Sequence, residues 1–324
     1  MKAALCKSLG GPDAIVIEDI AEPVAGSGEV LVRVKAASLN FLDTLQTRGK
    51  YQVKPPLPFS PAGEFAGVVE VLGAGVTGLK VGDRVFGYGA GGAAREKVAA
   101  AAVNLVPIPD GVSDEVASGV TVTYGTGMHG LKDRAQLKVG ETCAVLGASG
   151  GAGLAAVELA KLMGATVIAC ASTDEKLAVC KSRGADALIN YSQGDLKEKL
   201  REATGGKGVD VIYDCVGDKY AEPAIRAMNW GGRYLVIGFA AGEIPRIPLN
   251  LLLLKSCSLV GVFWGAHVAR NPGAHRANML ELMSWVASGK LKPHVHKVFP
   301  LEQTGDAIRE LDRRASTGKV VIKV

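Results

Sequence analysis

The chain has 324 residues, 48% of them hydrophobic, with 37 basic against 32 acidic side chains and a net charge of +5. That length suits two domains rather than one core, and basic residues spread without a long run argue against a nucleic-acid footprint, leaving a mild bias toward small anionic ligands. The six cysteines (Cys6, Cys143, Cys170, Cys180, Cys215 and Cys257) form no CxxC pair and no Cys/His cluster; several lie in apolar runs, as small hydrophobes do in a reducing compartment.

Read in chain order, the start MKAALCKSLGGPD has no apolar core and does not resemble a signal peptide. EVLVRVKAASLN alternates apolar and polar residues and predicts a half-buried strand. FLDTLQTRGKY predicts a short helix or turn, and KPPLPFSPAGE a proline-rich loop. AGVVEVLGAGV and GDRVFGYG predict short strands of a bent, barrel-like sheet. From about Val120 the rhythm changes. Helical stretches alternate with the apolar strands TCAVLGA, ATVIACA, ALIN, VDVIYDCV, RYLVIGF and SLVGVFW, the signature of a doubly wound parallel sheet. RANMLELMSWVASGKL then predicts an amphipathic helix, and HVHKVFP and GKVVIKV predict strands resembling the first part. The expected fold is α/β, with a β-rich domain at 1–120 and 268–324 and an inserted parallel-sheet domain at 121–267. The run LNLLLLKSCSLVGVFWG is cut by Lys255 and is no convincing membrane span. A cytoplasmic protein that binds no nucleic acid and no membrane is expected.

The stretch VLGASGGAGLAAVELAKLMGATVIACAS, residues 145–172, reads as strand, glycine turn, helix and strand. Gly147, Gly150 and Gly153 serve a tight turn, backbone approach to a pyrophosphate and close helix–strand packing. Ser149, Gly150, Gly151, Ala152 and Gly153 are therefore candidate cofactor-binding residues at a helix N-terminus. An acidic residue beyond the second strand would hold a free ribose 2′-hydroxyl, but here Ala171, Ser172 and Thr173 follow. Ser172, Lys176 and Tyr191 suit a 2′-phosphate instead, so NADPH is expected over NADH; Asp174 is expected to be a helix N-cap. Val216, Phe239 and Ala240 follow strands whose carboxyl ends face a ligand crevice.

AASLNFLDTLQTRGKY, PAGEFAGVVEVLGAGVTGLKVGDRVFG, LKVGETCAVLGASGGAG and STGKVVI together resemble the medium-chain dehydrogenase/reductase superfamily, and within it the zinc-free quinone oxidoreductase group. The resemblance implies a GroES-like catalytic domain, a Rossmann cofactor domain and a homodimer, with the edge strand SLVGVFW pairing across a two-fold. Zinc-dependent relatives carry a Cys within the segment matching residues 38–43 and a His–Glu pair at the segment matching Gly63 and Glu64. This chain has Asn40 near the first and Gly63 at the second, and no four-Cys lobe, so no metal is expected.

The resemblance also implies that Tyr51 faces the acceptor as hydrogen-bond or proton donor, that Thr126 packs on the nicotinamide, and that Phe263 lies in the segment reading its carboxamide. Tyr51 has a packing role as its alternative. Asn40 is either an amide donor to substrate or nicotinamide ribose, or a helix cap. Asp43 reads as structural, pairing with an arginine. Tyr124 reads as core. Lys319 resembles a family lysine near the cofactor, with a surface position as the alternative. His294 and His296 share one strand face, and His267 and His275 flank an expected loop, ARNPG. The leading expectation is an NADPH-dependent, zinc-independent reductase of quinones. The alternatives are a reductase of conjugated C=C bonds in enones, alkenals or 2-enoyl thioesters, and a non-catalytic NADPH-binding protein.

Overall fold

The computed structural model describes residues 1–89 and 91–324. Its contacts divide the chain into two compact units: Met1–Val122 with His267–Val324, and Thr123–Ala266.

The first unit opens with β1 (Lys2–Cys6) and β2 (Ile15–Asp19), an antiparallel ribbon. It continues through β3 (Glu29–Leu39), α1 (Phe41–Gln46), β4 (Glu64–Leu72), β5 (Arg84–Tyr88), β6 (Lys97–Ala101), β7 (Leu105–Pro107) and α2 (Asp114–Ser118). The second unit holds α3 (Thr123–Met128), β8 (Thr142–Leu146), α4 (Gly151–Leu162), β9 (Thr166–Ala171), α5 (Asp174–Ser182), β10 (Ala187–Asn190), α6 (Leu196–Ala203), β11 (Val209–Asp214), α7 (Ala221–Arg226), β12 (Met228–Val236), α8 (Asn250–Lys255) and β13 (Ser258–Gly261). The chain returns through α9 (Trp264–Arg270), α10 (Pro272–Ala287), β14 (Val295–Pro300), α11 (Thr304–Asp312) and β15 (Lys319–Lys323).

In the first unit the sheet order is β14-β15-β3-β4-β5-β7, with β6 also on β3. The last strand, β15, lies antiparallel to β3, with Val320 opposite Leu39. This pairing joins the two ends of the chain in one sheet. β3 departs from the expected half-burial: along its eleven residues only Arg33 is exposed. It is paired with β4 along one edge and with β6 and then β15 along the other, so it is the sheet's centre. Val30, Val32, Phe65, Val85, Leu105, Phe299 and Val320 are core residues of this unit.

The second unit has a six-stranded sheet, β10-β9-β8-β11-β12-β13, with every neighbouring pair parallel. Counted within the unit this is the 3-2-1-4-5-6 order of a doubly wound fold, which opens a crevice where the order reverses between β8 and β11. Strands with helices on both faces are apolar on both faces, which explains the unbroken run TCAVL and its burial. Ala144, Leu146, Ile168, Leu200 and Ile212 form its core with Tyr234. Burial pushes the Cys143 and Cys180 thiols up to about 12, so both stay neutral and behave as hydrophobes.

One expectation fails locally. ARNPG is not a loop: α9 runs to Arg270 and α10 starts at Pro272, whose ring suits a first helical position. His275 is buried in α10, and desolvation lowers it to about 4, with His267 adding to the effect.

Candidate functional site

Each unit holds part of the candidate residues. In the second unit, Gly147 and Gly153 show the tight turn and the close helix packing that the spacing predicts. Gly147 has a φ of +71°, a region that side chains disfavour. A Cβ on Gly153 would lie 2.2 Å from the Gly147 carbonyl oxygen, so α4 seats directly on the turn. A Cβ on Gly150 would meet only that same oxygen, at 3.5 Å, leaving the outer side of the turn open. Gly150 caps α4 without a side chain, so the first-turn N–H groups of Gly151 and Ala152 are offered to a ligand with no cap side chain over them. An open glycine face at an uncapped helix start fits a dinucleotide pyrophosphate.

The remaining cofactor candidates gather at one edge of the sheet. Ser172 follows β9, Tyr191 follows β10, Val216 follows β11, Phe239 and Ala240 follow β12, and Phe263 follows β13. Because all these strands are parallel, these are all carboxyl ends, the edge where α/β sheets bind ligands. Ser149 lies buried in the turn after β8, and Thr126 is half-buried on α3. Phe263 is 57% exposed.

At the end of β9, the Lys176 ammonium donates to Ser172 Oγ at 3.3 Å. Thr173, not Asp174, caps α5: its hydroxyl accepts from the Lys176 backbone N–H at 3.4 Å. Asp174 instead occupies the first helical position and accepts from Asn190 Nδ2 at 2.9 Å. A threonine preceding the acid takes the cap, which the residue order alone did not resolve. Tyr191 is tied to the same corner, its N–H donating to the Ala171 carbonyl at 3.1 Å and its ring 4.5 Å from Tyr220.

Asp214, at the end of β11, organises the crevice from within. It is 2% exposed and accepts the N–H of Val216 at 2.7 Å and of Gly217 at 3.0 Å, together with the Tyr234 hydroxyl. Burial raises its carboxyl, and these donors oppose the rise. The next strand-end loop is laced to it, with Ala240 N–H on the Cys215 carbonyl at 3.1 Å and Ala241 N–H on that of Val216 at 3.0 Å. Sequence reading did not single out Asp214. The available signal was an acid inside the apolar run VIYDCV, where a buried carboxylate requires partners. Tyr124 is core as expected, 3% exposed, and its hydroxyl also bonds Glu158, which Arg183 approaches at 3.8 Å.

In the first unit Asn40, Asp43, Glu64 and Lys319 form a polar cluster. Glu64 is fully buried and Lys319 is 3% exposed. The Lys319 ammonium donates to Glu64 Oε1 at 2.8 Å, Asn40 Oδ1 at 2.7 Å and the Leu39 carbonyl at 2.8 Å. Asn40 Nδ2 donates to Glu64 Oε1 at 2.9 Å, and the Val122 N–H to Glu64 Oε2 at 2.7 Å. A surface role for Lys319 is thereby ruled out. Asn40 caps α1, and its own N–H donates to Asp43 Oδ2 at 2.7 Å. Among the described residues Asp43 pairs with no arginine. Its other oxygen accepts the Ala62 N–H at 2.9 Å, while the nearby Arg48 pairs with Asp312. Desolvation raises Asp43 to about 6, against the pull of the Asn40 and Ala62 N–H groups and Lys319. Tyr51 is half-buried beyond α1; desolvation and the Asp43 charge raise its phenol, which therefore stays protonated as a donor.

These residues do not fit a catalytic zinc. Zinc takes thiolate, imidazole and carboxylate ligands in open reach. Here the place is held by an amide, a glycine and a carboxylate whose two oxygens already accept three hydrogen bonds, one from an ammonium.

Comparison with known proteins agrees with both units. The alcohol dehydrogenase GroES-like domain matches residues 26–110, and the zinc-binding dehydrogenase family matches residues 151–285. The chain is 40% identical to the quinone oxidoreductase-like protein 2 homolog of Nematostella vectensis, over 99% of this chain and 88% of that relative. Among solved structures, a mycobacterial protein complexed with NADPH is similar with a TM-score of 0.94 at 31% identity, over 100% of both chains. Escherichia coli quinone oxidoreductase complexed with NADPH is similar with a TM-score of 0.92 at 29% identity, again over 100% of both. With a GroES-like unit, a doubly wound unit and this identity along nearly its whole length, the chain belongs to the quinone oxidoreductase group of the medium-chain dehydrogenase/reductase superfamily, a family of oxidoreductases.

Proposed function

We propose that the protein is a zinc-independent, NADPH-dependent reductase of quinones. The observation that carries this reading is the buried Lys319–Glu64–Asn40 cluster where zinc-dependent relatives are expected to hold their metal. With no Lewis acid there, an acceptor that is already electrophilic, as a quinone is, is favoured.

When bound, NADPH supplies the hydride. The open face of Gly150 and the N–H groups of Gly151 and Ala152 hold its pyrophosphate, and Ser172 and Lys176 its 2′-phosphate. Asn40 orients the acceptor through an amide N–H, and Tyr51, protonated across the physiological range, donates a hydrogen bond or a proton to the acceptor oxygen. The reading includes a homodimer formed through β13. This edge strand leaves Leu259 37% exposed, and an apolar strand edge requires cover. Among the described residues no helix is long and apolar enough to cross a membrane.

The test is NADPH consumption with product identification, a quinone and a conjugated enone side by side, with and without chelator. Quinone turnover unchanged by chelator supports the proposal. A saturated product from the enone with slow quinone turnover would transfer the assignment to C=C reduction. Tight NADPH binding with no turnover of either would favour a thioester substrate or a non-catalytic role.

A further inference from the structure

The Asn40 carboxamide sits between two opposite charges. Its Oδ1 faces the Lys319 ammonium at 2.7 Å and its Nδ2 faces Glu64 Oε1 at 2.9 Å. An ammonium has only donors and a carboxylate only lone pairs, so this orientation is the one both charges accept. Turning the amide over would set its NH₂ against the ammonium and its oxygen against the carboxylate. Both partners are buried, where such a mismatch is most costly.

We propose that Lys319 is a positioning residue that acts on the acceptor through Asn40, fixing the amide so that a ligand meets N–H and not C=O. The inference rests on the assignment of Asn40 to acceptor binding. Asn40 is half-buried, whereas Lys319 is only 3% exposed. One Nδ2 proton is taken by Glu64, which leaves the second to donate. A donor held in this way suits an oxygen that gains negative charge as hydride arrives, the quinone or enolate oxygen. It does not suit a hydroxyl that must give its proton to an acceptor. The lysine is confined as well as bonded: a Cβ on Gly119 would lie 2.9 Å from Lys319 Cγ. The stem of the lysine therefore packs against the residue that ends α2.

The experiment is a double-mutant cycle on Lys319→Met and Asn40→Ala, reading acceptor kcat/KM, NADPH Kd and thermal midpoint. Asn40→Ala alone is expected to lower acceptor kcat/KM about tenfold or more. Lys319→Met is expected to do the same with NADPH Kd moved less than about threefold, and to add less than about twofold once Asn40 is alanine. Equal losses in both backgrounds, or a loss in NADPH binding that matches the loss in turnover, would overturn the role of Lys319 while leaving Asn40 as an acceptor ligand. If Asn40→Ala leaves acceptor kinetics unchanged, the assignment of Asn40 itself fails, and this inference with it. Should Lys319→Met not fold, Gly119→Ala displaces the lysine stem without removing any group. A smaller loss in kcat/KM that disappears in the Asn40→Ala background supports the inference, and one that persists there refutes it.

Discussion

Gly150 and Gly153, in the turn after β8, should separate stability from binding. In Gly153→Ala the new methyl would lie 2.2 Å from the Gly147 carbonyl oxygen and 2.8 Å from Ala148 Cα. Both obstacles are backbone, so relief requires α4 to lift from the turn by about 1 Å. Ala favours a helix over Gly by about 1 kcal/mol, but overpacking against an unyielding neighbour costs about 3 kcal/mol. The expected net loss is about 2 kcal/mol. Gly150→Ala meets only one atom, at an ordinary 3.5 Å, and its backbone is already extended at φ −72° and ψ 169°. There the fold should lose no more than about 1 kcal/mol. The same methyl covers the open face of the turn, and NADPH Kd should rise about tenfold or more, roughly 1.4 kcal/mol. Urea unfolding without nucleotide and a fluorescence titration with NADPH read the two effects. A Gly153→Ala protein as stable as wild type would refute the close-packing argument. A Gly150→Ala protein that binds NADPH normally would refute the phosphate assignment.

Lys176→Ala should lower the preference for NADPH over NADH by about tenfold, measured as the ratio of kcat/KM values, because a 2′-phosphate loses its cation; an unchanged ratio would remove Lys176 from the site. Tyr51→Phe should cut kcat about tenfold or more with NADPH affinity retained, and equal losses in both would mark Tyr51 as packing only. Two buried groups should pull stability in opposite directions over one pH window. Asp43 is raised from 3.8 to about 6, so the folded state binds its proton more readily. That stability is full below about pH 4 and lost as pH rises through 6, worth at most about 3 kcal/mol. His275 is lowered from 6.5 to about 4, so its contribution is present above 6.5 and lost as pH falls toward 4. Wild type should therefore respond weakly to pH here. Asp43→Asn should lose stability relative to wild type as pH falls from 7.5 to 5, measured by denaturation. A pH response identical to wild type would show that Asp43 carries no such shift.

Much of the second unit was legible in the sequence because its signals are local. Strand, glycine turn and helix follow one another within 145–172, and the roles of Gly147, Gly150 and Gly153 come from backbone geometry that neighbouring residues set. The alternation of helices and apolar strands implied a parallel sheet, and the carboxyl-end rule then placed Val216, Phe239 and Ala240 on one edge. The failures were also local in kind. Thr173 displaced Asp174 as a cap because adjacent capping residues compete, and two helices replaced a loop around Pro272 because proline begins helices as readily as it breaks them.

What tertiary structure alone decided lies in the first unit. Lys319 is 255 residues from Glu64 and 279 from Asn40, and no spacing rule joins them. They meet because β15 pairs with β3 and β3 with β4, which brings the start of β15, the end of β3 and the start of β4 together. The sequence by itself determined that neither Asn40 nor Gly63 is a thiolate or imidazole and which glycines shape the turn after β8. That a buried ammonium and carboxylate hold Asn40 there was decided by strand pairing across the whole chain, because charges leave water only where folding supplies their partners.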